Sequence, residues 1–274
     1  MTHNLNIKLL LLALAAPFLV SVANAESVQI DTELDWKACH SSLGDLDGDG
    51  DLDLVTSASR IDTFAVYLNN SDGTFGLGQQ VDTELDEGAE HTSLGDLDGD
   101  GDLDLVTSAW HSDAFTVFLG KGDGTFRPGI QVDTELDEFA NHTSLGDLNG
   151  DGDLDLVTSA LGADAFTVFL GNGDGIFGPG QQVDTELDES AEHTNLGDLD
   201  EDGDLDLVTS AKDSDAFTVF LGNGDGTFGP GSQIDTELDD WANYTSLGDL
   251  DGDGDLDLVT SAWHSDAFAV HLND

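Results

Sequence analysis

The sequence predicts an all-β fold: a closed β-propeller of five four-stranded blades, one per 51-residue unit. Three observations lead there. First, "GDLDGDGDLDLVTSA" starts at Gly44 and returns with small changes at Gly95, Gly146, Gly197 and Gly248, a constant step of 51 residues. A period of this size marks a repeat architecture. Second, each unit holds four short runs rich in Val, Phe and Thr between Gly, Asp and Asn turn signals, with no helical period beyond the first 25 residues. Third, the last unit stops after its third run, while "SVQIDTEL" (Ser27–Leu34) matches the second half of a fourth. The N-terminal strand is expected to complete the fifth blade and shut the ring; the alternative is an open array that closes by pairing with other chains.

The elements follow in chain order. Residues 1–25 read as a signal peptide: Lys8, an apolar run from Leu9 to Val22, and the small-x-small site Ala23-Asn24-Ala25. Residues 26–274 are expected to form the repeat domain, exported to the periplasm or the medium. In the second unit, strand A is expected at His91–Leu97 and strand B at Asp104–Ala109. Strand C is expected at Ala114–Gly120 and strand D within Thr125–Leu136, where Pro128 and Gly129 push the chain to an edge. The turn Lys121–Gly124 joins C to D. Four strands per unit, set radially, is the propeller plan.

Charge excludes whole classes of partner. The chain has 58 acidic and 6 basic residues, a formal net charge of −52. Nucleic acid and anionic membrane are polyanions and are repelled. Cys39 is the only cysteine, so no intrachain disulfide can form.

The acidic loop between strands A and B carries the chemistry. In Asp45-x-Asp47-x-Asp49-Gly50-Asp51-x-Asp53, side chains are offered at positions 1, 3, 5 and 9, and a backbone carbonyl at position 7. Oxygen ligands at this density suit Ca²⁺ better than Mg²⁺, which keeps its waters and demands an octahedron. The loop is not an EF-hand: Thr56 stands at position 12 and the flanks read as strands.

"DLDGDGDLDLV" followed by "LGNGDGTFG" resembles the FG-GAP or VCBS repeats of integrin-α-like propellers, over nearly all of Ser27–Asp274. The resemblance implies one calcium ion per loop, about five in all, and usually about seven blades. It implies as ligands Asp45, Asp47, Asp49, Asp51 and Asp53; Asp96, Asp98, Asp100, Asp102 and Asp104; Asp147, Asn149, Asp151, Asp153 and Asp155; Asp198, Asp200, Asp202, Asp204 and Asp206; and Asp249, Asp251, Asp253, Asp255 and Asp257. Asn149 removes a charge from the third loop, and Glu201 replaces a glycine in the fourth.

Differences between the near-identical units concentrate in the D–A and B–C connections, which share the face opposite the acidic loops. Trp36, Trp110, Trp241 and Trp263 all fall there, with His111 and His264 beside two of them. Loops on a rigid scaffold are where binding concentrates, and Trp anchors interfaces. These six residues are the candidate ligand site. His40, His91, His142, His193 and Tyr244 stand in register at the head of strand A and are expected to hydrogen-bond around a channel mouth. The expected function is a secreted, monomeric, lectin-like binding or adhesion module for carbohydrate or extracellular protein, not an enzyme. A propeller-type polysaccharide-degrading enzyme and a purely structural matrix protein are the alternatives.

Overall fold

The computed structural model describes residues 38–58, 61–83, 88–109, 112–134, 139–185, 191–211, 215–236, 242–262 and 267–273. Every regular element among them is a strand. The first sheet is β1 (Ala38–Gly44), β2 (Asp53–Ala58), β3 (Thr63–Tyr67) and β4 (Gln79–Asp82). The second is β5 (Ala89–Gly95), β6 (Asp104–Ala109), β7 (Ala114–Phe118) and β8 (Ile130–Asp133). The third is β9 (Phe139–Gly146), β10 (Asp155–Leu161), β11 (Ala165–Phe169) and β12 (Gln181–Asp184). The fourth is β13 (Ala191–Gly197), β14 (Asp206–Ala211), β15 (Ala216–Phe220) and β16 (Ser232–Asp235). The fifth has three described strands, β17 (Ala242–Gly248), β18 (Asp257–Ala262) and β19 (Phe268–His271). Strands pair antiparallel in chain order within each sheet, the propeller-like arrangement the repeat predicts.

Strand B matches its sequence boundaries and is buried along its length, as in β6. Strand A begins two residues earlier than expected, at Ala89. Strand C ends at Phe118, because Gly120 leaves the ladder to bridge Phe126. Strand D shortens to four residues after Pro128 and Gly129, and three of the four are exposed. A β-bulge near the head of strand A places two residues opposite one, between Ala89 and Thr92 in β5. Bulges re-aim side chains, and this one lies at the register of His91.

The core lies between neighbouring sheets. Phe64 of the first sheet meets Phe118 edge-on at 5.2 Å and Phe126 at 5.9 Å in the second. Phe115 repeats this with Phe169 and Phe177, and Phe166 with Phe220 and Phe228. Such rings combine large buried area with a favoured T-shaped geometry. Nearer the acidic loops, the glycine ending strand A is a notch for two leucines of the next sheet. A Cβ on Gly44 would lie 2.6 Å from Leu103 and 3.0 Å from Leu94, and Gly95, Gly146 and Gly197 meet equivalent pairs.

The seam that closure would require, Leu43 and Leu52 against Gly248, is not formed. Leu43 is 60% exposed and Leu52 56%, and no described atom lies within 4 Å of a Cβ built on Gly248. The expected fourth strand of the fifth sheet falls on residues 27–34, outside the described residues.

Candidate metal centre

Each acidic loop is wound around its own carboxylates. Asp45 accepts the Gly48 N–H at 2.8 Å on Oδ1 and the Gly50 N–H at 3.0 Å on Oδ2. Gly48 and Gly50 have φ of 74° and 93°, so the winding needs glycine. Asp47 accepts the Asp49 N–H and Asp49 the Asp51 N–H, two successive Asx turns. Asp53, buried at the start of β2, accepts the Leu46 N–H at 2.9 Å and the Asn69 N–H at 2.8 Å. It ties the loop to the end of strand C.

This winding brings positions 1, 3 and 9 together. Oxygens of Asp45, Asp47 and Asp53 lie within 4.8 Å of one another, as do those of Asp96, Asp98 and Asp104; Asp198, Asp200 and Asp206; and Asp249, Asp251 and Asp257. Positions 5 and 7, such as Asp49 and Asp51, are not in these triads. In the third loop Asn149 takes the middle place, and its amide donates to Asp151 at 3.0 Å. The loop otherwise keeps the same winding, with Asp147 accepting from Gly150 and Gly152, and Asp155 from Leu148 and Gly171.

Crowding perturbs the acids. Desolvation, then the charges of Asp49, Asp53 and Asp45, push Asp47 up. Burial raises Asp104, Asp155 and Asp206 against the amides that stabilise their charged forms. A hard cation relieves this repulsion, and the donor set is one Ca²⁺ accepts. One further observation fits: Asp198 Oδ1 is buried with no partner. In the sister loops the equivalent oxygen accepts a glycine N–H; here Glu201 holds that place at φ 60°.

Arg127 was not singled out from sequence. Its guanidinium lies 3.4 Å from Asp98 and 3.6 Å from Asp100, a cation already at the second loop. The signal was available: the other units carry Gly76, Gly178 and Gly229 at this register.

The histidines form a column that also couples the sheets. Ring centroids of His40, His91, His142 and His193 are spaced 3.8, 3.8 and 3.9 Å apart, and Tyr244 meets His193 at 5.3 Å. Nδ1 of His40, His91 and His142 pairs at 3.1 Å with Thr92, Thr143 and Thr194 of the following sheet. Desolvation lowers all four, His91 and His142 well below the usual value and His193 to about 4. Beside them, burial raises Glu90 to about 7, and its Oε2 is buried without a partner.

Between the fourth and fifth sheets lies a cavity of about 410 Å³, lined in part by Phe217, Val219, Leu256 and His271. His271 stands at the register of Phe118, Phe169 and Phe220, and meets Phe217 at 5.0 Å. The sequence-predicted ligand residues Trp36, Trp110, Trp241, Trp263, His111 and His264 lie outside the described residues.

Three solved structures are similar to this chain, and the first two share its fold. An Agrocybe aegerita lectin, described for specific recognition of non-reducing terminal N-acetylglucosamine, aligns at TM-score 0.61 and 23% identity, over 86% of this chain and 66% of its own. A protein from Lactobacillus plantarum aligns at 0.57 and 12%, over 86% and 70%. The V. cholerae biofilm matrix protein Bap1 aligns at 0.48 and 18%, over 82% and 35%. The chain thus spans about two thirds of the lectin and about a third of the matrix protein. No curated protein matches the chain. The FG-GAP-like repeat model matches residues 40–107, 108–158 and 198–260, more than half of the sequence, and the chain belongs to that family.

Proposed function

We propose that the chain is an exported calcium-binding propeller module that binds carbohydrate, or an extracellular protein, through the face of the D–A and B–C connections. The observation carrying this reading is the carboxylate triad, formed at one register in four of five repeats. Asp45, Asp47 and Asp53 and their equivalents would hold the ion, which supplies charge neutralisation rather than reaction chemistry. Such a framework fixes the loops of the opposite face, where the units differ. Export rests on the apolar run Leu9–Val22 and the site ending at Ala25. The net charge disfavours polyanions, and the lectin's recognition of N-acetylglucosamine makes neutral sugars the first ligands to try.

The role is binding without turnover: the histidines that could do acid–base work recur as structural parts, hydrogen-bonded from sheet to sheet. The test is a glycan array probed in millimolar calcium and again in chelator. Calcium-dependent binding to one sugar class, weakened by Trp110→Ala without loss of stability, is expected. A blank array from folded, calcium-loaded protein refutes the carbohydrate reading and moves the search to protein ligands.

A further inference from the structure

We propose that neighbouring calcium loops bind their ions cooperatively, coupled by an unbroken line of hydrogen bonds through the ninth-position aspartates of all five. This rests on the calcium reading above and adds a coupling between its sites. Asp53, Asp104, Asp155, Asp206 and Asp257 are all buried. Asp53 Oδ2 accepts the Leu46 N–H at 2.9 Å, and the Leu46 carbonyl accepts the Gly124 N–H of the next sheet's C–D turn at 2.9 Å. The other end of that turn donates from the Gly120 N–H to Asp104 Oδ1 at 2.7 Å. The line runs on from Asp104 through Leu97, Gly175 and Gly171 to Asp155, at 2.7, 2.9 and 2.8 Å. It repeats from Asp155 through Leu148, Gly226 and Gly222 to Asp206, at 2.8, 3.0 and 2.8 Å. The fourth joint is built differently. Asn273 stands at the register of Gly120, Gly171 and Gly222, and its N–H likewise donates to Asp257, at 2.9 Å. Its side-chain amide donates to the Leu199 carbonyl at 2.6 Å, the place a turn glycine fills elsewhere. The Leu199 N–H donates to Asp206 at 2.7 Å, so one side chain replaces the whole turn.

Leu46 lies between the first two triad positions, Asp45 and Asp47. An ion that draws Asp45, Asp47 and Asp53 together fixes the Leu46 peptide, and with it the acceptor for Gly124. Gly124 is closely confined: its φ is 76°, and a Cβ there would lie 2.7 Å from Leu68 of the preceding sheet. The turn so held presents Gly120 to Asp104 and packs Gly122 on Asp102, where a Cβ would collide with the carboxylate. The turn is thus shared by two metal loops. The first ion bears the cost of ordering it, and the second binds a loop already set. Coupling between sites is reciprocal and typically about 5- to 150-fold. Loops that are not neighbours share no turn, so the effect is confined to adjacent sites.

The full chain is titrated with calcium and followed by hydrogen-exchange mass spectrometry, which gives a midpoint of protection for each loop. Peptides that reach back into the unlike heads of strand A tell the near-identical loops apart. Asp47→Ala removes a ligand of the first site. It is expected to raise the midpoint of the second loop, 96–104, by about fivefold or more and to leave the fourth loop, 198–206, unmoved. Asp251→Ala, at the fifth site, is expected to raise the midpoint of the fourth loop in the same way and to leave the first unmoved. Asn273→Ala keeps the backbone donor to Asp257 and removes the bond to Leu199. In that background Asp251→Ala is expected to move the fourth loop no further, the signature of a broken coupling. A second loop that ignores Asp47→Ala overturns the proposal. So does equal movement of every loop, or an effect of Asp251→Ala that survives Asn273→Ala. Protection at each loop without neighbour effects defeats the coupling alone. No calcium-dependent protection at any loop defeats the metal reading with it.

Discussion

At the scale of single residues, two departures from the repeat tell most about the metal loops. Arg127 holds a guanidinium against Asp98 and Asp100, where three other units have glycine. A tethered cation and a bound ion compete for the same carboxylates. Arg127→Gly is therefore expected to tighten the second site a few-fold, about threefold, the modest size typical of an exposed ion pair. Calcium titration by calorimetry checks this, and weaker binding in the variant would refute the competition. Asn149 is the converse case, an oxygen ligand without charge in the third loop. Asn149→Asp restores the three-acid set of the other loops, and affinity there is expected to rise. The order of these sites was partly legible in the sequence: Asn149 was visible as a lost charge. Arg127 was not, because the contact joins residues 29 apart across a hairpin whose packing no local pattern encodes.

At the scale of the element, the ninth-position aspartate separates two roles that the sequence merged into one ligand list. Asp53 already accepts two amides, so it holds the loop to strand C with or without an ion. Asp47 accepts only its local Asx-turn amide. Asp53→Ala is expected to cost about 3 kcal/mol even in chelator, the loss of two charge-assisted bonds and the stranding of an amide at buried Leu46. Asp47→Ala is expected to lower the melting temperature in calcium and to change it little in chelator. Equal losses for both variants in chelator would remove the distinction. For the wild type, a dissociation constant of about 0.1–1 mM at each site and roughly 10 mM calcium imply about 1.4–2.7 kcal/mol per site. Four sites then raise the melting temperature by at least about 10 °C over chelator. The strands themselves were largely legible. The period of 51 located every unit, and strand B was read to the residue. Strand D was overextended because Thr134 and Leu136 continue the alternation past Asp133, whereas the ladder with strand C stops there. The glycine–leucine joint was invisible, since it couples residues in successive units and leaves no mark within either.

At the scale of the whole molecule, the histidine column makes stability depend on pH. In the folded state burial holds His193 at about 4, and His91 and His142 well below the usual value of 6.5. A folded pKa below the unfolded one means that the unfolded chain binds more protons between the two values. Stability contributed by neutral, buried imidazoles is thus present above pH 6.5 and is lost as pH falls toward 4. Glu90 works in the opposite sense. Its folded pKa of about 7 against the usual 4.5 means the folded chain binds the extra proton, so its burial costs most above pH 7 and least below pH 4.5. Four histidines act against one glutamate, and adjacent rings at 3.8 Å make each further protonation harder than the last. The net expectation is a melting temperature that falls between pH 7 and pH 5 in calcium-free buffer, with about 2 kcal/mol from His193 alone. Glu90→Gln removes the opposing group. It is expected to melt higher than wild type at pH 7 and to lose stability more steeply on acidification. A Glu90→Gln profile parallel to wild type would show that Glu90 does not titrate in this window. A flat wild-type profile that Glu90→Gln leaves flat would show that the folded column takes up protons in the same pH range as the unfolded chain, against the desolvation argument.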